Sequence, residues 1–234
     1  MNTISIQFML GWMYGGSLTH AANGVEQDRQ TEAWYLKAAE QGYADAQFEL
    51  GYIYSQKDYD DEYEQAANWF TKAAEQYRKA AAQGDLDSEL KLALMYTGGL
   101  GVVQDFGQAA AIYRKLADQG LADGQNYLGQ MYAKGQGITQ NATQAMELFR
   151  KAAEQGHGDA QFNLGLVYLG EYADFGVQRD YKLAYAWFLV AEANGSEGNA
   201  SGIRGSLERS LPPDVLKEGV ELAKEYFEKY QPMQ

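Results

Sequence analysis

The segment AQFNLGLVY, residues 160–168, carries a pattern that recurs through the chain. Related segments begin at Ile6 (IQFMLGWMY), Ala46 (AQFELGYIY), Ser88 (SELKLALMY) and Gly124 (GQNYLGQMY). Their apolar residues fall at the spacing of one helix face, with a glycine or alanine among the large side chains. Because a glycine inside a helix costs about 1 kcal/mol relative to alanine, its recurrence predicts a close approach of a neighbouring backbone.

A second, alanine-rich pattern follows each copy of the first. AWYLKAAEQG, which ends at Gly42, returns in related forms that end at Gly84, Gly120, Gly156 and Gly195. Each form begins with an aromatic residue beside a second large residue, and it closes on the glycine that helix C-termini favour. Before three of these segments stands a residue suited to cap a helix N-terminus: Asp105, Asn141 and Asp180.

Each repeat therefore predicts two helices joined by a turn. One such pair cannot bury both its faces alone, whereas stacked pairs share a continuous core. The expected fold is all-α, a right-handed α/α superhelical solenoid in a single domain over residues 1–234. It has five helix-turn-helix repeats and a C-terminal capping helix pair, with expected bounds of about 3–42, 43–84, 85–120, 121–156, 157–195 and 196–234.

These repeats resemble the Sel1-like repeat family, bacterial relatives of the tetratricopeptide repeats. The resemblance rests on the pattern A-x-x-x-LG-x-x-Y, a glycine-rich turn, and D-x-x-x-A-x-x-W-x-x-x-A-A-x-x-G. The best match runs from Ala160 to Tyr168 and from Asp180 to Ala191. The third repeat departs from the pattern, with Ala93 in place of the glycine. The cysteine-rich branch of the family does not apply, because the chain has no cysteine.

The stretch WFTKAAEQYRKAAAQG, residues 69–84, repeats itself after seven residues. No glycine or proline interrupts it before Gly84, and seven residues are close to two helical turns. We therefore expect one long helix over about residues 62–83, which overhangs its neighbours, rather than an additional repeat.

The net charge of −13 argues against a nucleic-acid partner, because binding to phosphates requires a basic surface. No apolar run of about 18 residues exists, so no membrane span is expected. The only two histidines, His20 and His157, lie in turns of different repeats. We therefore expect no metal site, no cofactor, no catalytic residues and no enzymatic activity. Acidic residues recur at the start of the first helices, where they suit the helix dipole: Asp45, Asp87, Asp123 and Asp159.

The resemblance implies that the first helices line a concave binding face. By register, the partner-binding residues on this face are Phe8, Trp12, Phe48, Tyr52, Leu94, Gln130 and Leu166. Packing between adjacent first helices is the alternative for Phe8 and Phe48. An aromatic groove suits capture of a peptide, since aromatic side chains bury large areas at low entropic cost.

A second expected contact is the acidic turn KDYDDEYE, residues 57–64. It replaces the glycine-rich turn of the other repeats, and a solvated loop is its ordinary interpretation. As a hypothesis, Asp58, Asp60 and Asp61 dock a basic partner.

The expected function is a non-enzymatic scaffold or adaptor that binds another protein or peptide, and a monomer is favoured. The alternative, from the family resemblance alone, is an immunity protein that neutralises a secreted bacterial effector such as a lipase. A hydrolase is the less favoured class. We expect a cytoplasmic protein if Met1 is the native start and a periplasmic one if an export signal has been removed.

Overall fold

A computed structural model of the chain describes residues 24–57, 60–172, 176–196 and 198–230, with the backbone alone for residues 24–30 and 60–62. The described residues form eleven α-helices and no strand. In chain order they are α1 (Gly24–Glu40), α2 (Ala44–Ser55), α3 (Asp60–Ala81), α4 (Leu86–Gly98), α5 (Phe106–Asp118), α6 (Ala122–Lys134), α7 (Ala142–Glu154), α8 (Gly158–Leu169), α9 (Tyr181–Ala193), α10 (Ala200–Ser210) and α11 (Pro213–Lys229).

The chain divides into two compact units, Met1–Asp105 and Phe106–Gln234. In the first unit, each of α1 to α3 packs against the next helix along the chain. In the second unit, α5 to α9 do the same, and both α10 and α11 pack against α9. This succession of neighbouring helices is the arrangement expected for an all-α repeat protein.

The recurrent glycine of the first helices accommodates an aromatic ring. A Cβ atom on Gly165 would lie 2.6 Å from Cε1 of Phe188, and one on Gly129 would lie 2.8 Å from Cε1 of Phe149. Both phenylalanines are fully buried on the second helix of the same repeat. The close approach predicted from the sequence is therefore present, but its nearest atoms belong to a ring. The predicted neighbouring backbone also approaches Gly129, where the Ala145 carbonyl oxygen would lie 3.4 Å from the Cβ.

The duplicated stretch forms part of one uninterrupted helix, α3, as predicted. This helix has 22 residues, whereas α5, α7 and α9 have 13 each. When α3 and α7 are aligned on Phe70 and Phe149, α3 begins three residues earlier than α7 and ends six residues later. At a rise of about 1.5 Å per residue, the C-terminal end of α3 extends about 9 Å further than that of α7.

Capping residues define several helix starts. The Asn141 side chain accepts a hydrogen bond from the Gln144 amide, and Asp180 accepts from the amides of Lys182 and Leu183. These two predicted N-caps are confirmed. Each of the four described first helices also has its predicted acidic residue in the first turn: Asp45, Asp87, Asp123 and Asp159.

Candidate protein-binding surface

One helical position, directly after the packing glycine or alanine, is equivalent in the four first helices that the structure describes, α2, α4, α6 and α8. In the first unit it holds Tyr52 on α2 and Leu94 on α4. In the second unit it holds Gln130 on α6 and Leu166 on α8. Tyr52 is 47% exposed and the other three are partly exposed. Within each unit, this position therefore reaches solvent, and its role in binding stays a prediction.

Phe48 and Leu166 also have packing partners within their own units. The Phe48 ring lies edge-on to Phe70, with the ring centroids 5.3 Å apart, and 6.5 Å from the ring of Tyr77. Leu166 packs against the buried cluster that contains Phe188. Both side chains therefore contribute to the core as well as to the accessible surface.

Some predicted contact residues lie outside the described part of the chain: Phe8, Trp12 and Asp58. Asp60 and Asp61 begin α3, but their side chains are not among those described. Next to them, Tyr63 is 55% exposed on the first turns of α3. On the other side of the turn, the Lys57 ammonium lies 3.1 Å from the Glu32 carboxylate of α1.

Charged groups lie beside Tyr77 in the first unit. Asp45 accepts hydrogen bonds from the Tyr77 hydroxyl (2.6 Å) and the Lys91 ammonium (2.7 Å). Lys91 also pairs with Asp87 at 2.6 Å. Burial by itself lowers the pKa of Lys91, but its hydrogen bonds to the two aspartates more than offset this, so the pKa is raised.

Glu49 adds a third carboxylate to this group. Burial raises the pKa of Glu49, and the neighbouring Asp45 carboxylate raises it further. Three carboxylates therefore surround one ammonium group, and this part of the first unit has an excess of negative charge.

Buried amide side chains form a repeated feature that the sequence analysis missed. Gln161 is fully buried. Its Nε2 donates a hydrogen bond to the Ala153 carbonyl at 3.1 Å, and its Oε1 accepts one from Nδ2 of Asn194 at 3.0 Å. In the preceding repeat, Oε1 of Gln125 accepts from Nε2 of Gln155 at 2.8 Å. Asn194 and Gln155 are the C-cap residues of α9 and α7. Each glutamine thus fastens a first helix to the end of its repeat's second helix.

In the second repeat the equivalent glutamine, Gln47, has a hydrogen-bond partner for its side-chain nitrogen but, within the described part of the chain, not for its oxygen. Gln47 is 4% exposed, and its Nε2 donates to the Ala39 carbonyl at 3.0 Å. Its Oε1 has no hydrogen-bond partner among the described residues. The recurrence of a glutamine in an otherwise apolar pattern, at positions 47, 125 and 161, was the sequence signal for this feature.

The described residues provide no metal centre and no membrane span. They contain no group of three or more histidine, aspartate or glutamate side chains that could hold a metal ion. None of the described helices is both long and apolar enough to cross a membrane. An apolar groove of about 300 Å³ lies between α9 and α11, where Phe227 is 41% exposed.

The helix succession and the repeated contacts define an all-α superhelical repeat protein. The sequence model of the Sel1 repeat matches residues 6–43, 44–76, 77–85, 86–121, 122–157 and 158–196, so the chain belongs to the Sel1 repeat family. The short match at 77–85 begins within α3, in the second half of the duplicated stretch. The family resemblance inferred from the sequence is thus confirmed.

The chain is similar to a number of solved structures, among them the following three. One is c5321 of uropathogenic Escherichia coli, a protective antigen with an SLR fold, at 33% identity and a TM-score of 0.59 over 98% of this chain. This chain spans only 46% of c5321. A Sel1 repeat protein from Oxalobacter formigenes has 27% identity and a TM-score of 0.53, over 95% of this chain and 88% of its own.

The third is the immunity protein PA5088 from Pseudomonas aeruginosa, with 18% identity and a TM-score of 0.56, over 98% of this chain and 81% of its own. At this identity the likeness concerns the fold alone. No curated protein matches the chain.

Proposed function

We propose that this protein is a non-enzymatic scaffold or adaptor, which binds a partner protein or peptide through the accessible positions of its first helices. Sel1 repeat proteins are in general protein-interaction scaffolds. The observation that carries the proposal is the repeated register: the residue after the packing glycine or alanine reaches solvent in each described first helix. Tyr52, 47% exposed, is the most accessible of these.

A tyrosine at such a position suits binding, because it offers a large contact area and a hydroxyl group at low entropic cost. The partner is expected to be basic, since the chain carries a net charge of −13. The carboxylates of Asp45, Glu49 and Asp87 support the same expectation.

Affinity purification with quantitative mass spectrometry tests this surface. We expect Tyr52→Ala to reduce partner capture about tenfold or more, as is typical of an aromatic hot spot. Tyr181→Ala is the matched control, because Tyr181 is 40% exposed at the start of a second helix. Equal capture by the wild type and both variants would exclude the Tyr52 position.

The acidic turn is tested separately with Asp58, Asp60 and Asp61 changed to lysine. A pull-down in which this triple variant keeps full partner capture would remove the turn from the binding surface. Loss of capture by the triple variant at low salt, together with a fall in wild-type capture as the salt concentration rises, would support an electrostatic contact, because salt screens such contacts.

A narrower alternative is an immunity protein that neutralises a secreted effector such as a lipase. The strongly acidic charge of the chain supports binding to a basic protein surface. Co-expression with the product of a neighbouring effector gene distinguishes the two proposals. Rescue of growth supports immunity, whereas toxicity that is unchanged by this protein counts against it.

Non-enzymatic status is part of the proposal. A turnover screen against ester, phosphate and peptide substrates is expected to show no saturable activity. Saturable turnover by the pure protein would overturn this part of the proposal.

A further inference from the structure

His157 connects the fourth and fifth repeats through both of its ring nitrogens. It lies at the N-cap position of α8, where Nδ1 accepts a hydrogen bond from the Ala160 amide at 3.2 Å. Its Nε2 lies 3.1 Å from Oδ1 of Asp123, in the first turn of α6. The imidazole thus caps one first helix and contacts the start of the preceding one.

These contacts define the protonation of the neutral ring. A backbone amide can only donate, so the Nδ1 atom that faces Ala160 must carry a lone pair. The ring proton therefore lies on Nε2, which donates to the Asp123 carboxylate. This hydrogen bond lowers the pKa of Asp123, so the carboxylate stays ionised as an acceptor.

A second proton on the ring changes only one of the two contacts. It binds to Nδ1, where it would point at the Ala160 N–H group, and two donors cannot share a hydrogen bond. A cationic ring at a helix N-terminus is also disfavoured by the helix dipole. In contrast, the bond from Nε2 to Asp123 becomes charge-assisted and stronger.

Other charged groups near the ring along the chain are Glu154 and Asp159. Glu154 is the last residue of α7, and the Asp159 carboxylate accepts a hydrogen bond from the Ser196 hydroxyl at 2.7 Å. Both are acidic and favour a cationic ring, but neither can replace the lone pair that the Ala160 amide requires.

We propose that His157 is a pH-sensitive latch on the N-terminus of α8, which holds the Ala160 amide when the ring is neutral and releases it when the ring is protonated, while the contact to Asp123 is kept. It would loosen the first turn of the fifth repeat without separating it from the fourth.

Nitrogen and proton NMR of the labelled full chain between pH 8 and 5 tests the latch. At pH 8 the ring is expected as the Nε2–H tautomer. The Ala160 amide resonance should shift with the same midpoint as the ring. Its hydrogen exchange, corrected for the intrinsic effect of pH, should become about fivefold faster, as for a lost helix cap.

Two variants separate the parts of the latch. In His157→Asn the side-chain oxygen can still cap α8 but does not titrate, so the Ala160 amide shift should stay constant. In Asp123→Asn the Ala160 amide shift should still follow protonation of the ring, because the cap on α8 does not involve the carboxylate. An Nδ1–H tautomer at pH 8, or an Ala160 amide that stays unchanged while the wild-type ring titrates, would overturn the proposal.

Discussion

Gln161 and Gln47 occupy equivalent positions in two repeats, so the same substitution, glutamine to leucine, can be compared at both. Gln161→Leu removes two buried hydrogen bonds, one to the Ala153 carbonyl and one from Asn194. The carbonyl of Ala153 keeps the Gly156 amide as a donor at 3.0 Å, and Nδ2 of Asn194 keeps the Tyr230 carbonyl at 3.3 Å. With about 1 kcal/mol for each lost bond, we expect a loss of about 2 kcal/mol in the free energy of unfolding.

Gln47→Leu should be far less costly. It removes one hydrogen bond, to the Ala39 carbonyl, which also accepts from the Gly42 amide at 3.0 Å. It also removes the unpartnered Oε1, whose burial is unfavourable by about 1–3 kcal/mol. We therefore expect the free energy of unfolding to change by at most about 1 kcal/mol, in either direction. Urea unfolding of both variants measures the difference.

The long helix explains why Gln47 lacks its partner. In the fourth repeat the glutamine that bonds to the first helix, Gln155, is the C-cap of α7. With α3 and α7 aligned on Phe70 and Phe149, the residue equivalent to Gln155 is Gln76, which lies inside α3 rather than at its end. The duplication places the closing pair Gln83 and Gly84 seven residues later, beyond the end of the helix. Deletion of residues 76–82 restores the sequence WFTKAAEQG. In that background Gln83 should bond to Gln47.

The deletion therefore turns the comparison into a double-mutant cycle. The cost of Gln47→Leu should rise by about 1–2 kcal/mol in the shortened chain, to near that of Gln161→Leu. If Gln47→Leu costs as much as Gln161→Leu in the full chain, or the deletion leaves its cost unchanged, the link between the duplication and the unpartnered oxygen is refuted.

Two further predictions concern packing and pH. Gly165→Ala should lower the free energy of unfolding in urea by about 1–3 kcal/mol, because its Cβ would lie 2.6 Å from the buried Phe188 ring. The control is Gly205→Ala, whose Cβ would approach only the flexible Arg209 Nη1 at 3.6 Å. This control should be neutral or stabilising by up to about 1 kcal/mol. The hydrogen bond from His157 lowers the pKa of Asp123 in the folded state, so the ionised Asp123 carboxylate stabilises the fold. This stabilisation is fully present above the pKa that Asp123 has in the unfolded chain, and it is lost as the pH falls through the lower pKa of the folded state. Stability measured from pH 6 to pH 2 should therefore fall less steeply in Asp123→Asn, and identical pH profiles would contradict this.

The sequence predicted α3 correctly because helix continuity is a local property. No residue between Trp69 and Gln83 interrupts a helix, and the seven-residue offset keeps nearly the same face towards the core. The N-caps Asn141 and Asp180 could be predicted for the same reason, since a cap bonds to amides two or three residues away.

The partners of the recurrent glycines could not be predicted in this way. The pattern indicated that a neighbouring group packs closely against Gly129 and Gly165. An aromatic ring and a backbone both need a residue without a side chain at this position, so the pattern does not distinguish them. Which of them fills the space depends on where the second helix places Phe149 and Phe188. The two-sided contact of His157 was missed likewise, because Asp123 is 34 residues away in the chain.

The repeated pattern of small, aromatic and capping residues was enough to define the class of fold, since periodicity and helix ends depend on contacts within a few residues. The polar contacts between helices depend on the length and placement of elements far apart in sequence. A glutamine at position 47 looks the same as those at 125 and 161, yet its oxygen lacks a partner, because the end of α3 lies elsewhere. This difference between identical residues arises only when the helices are packed.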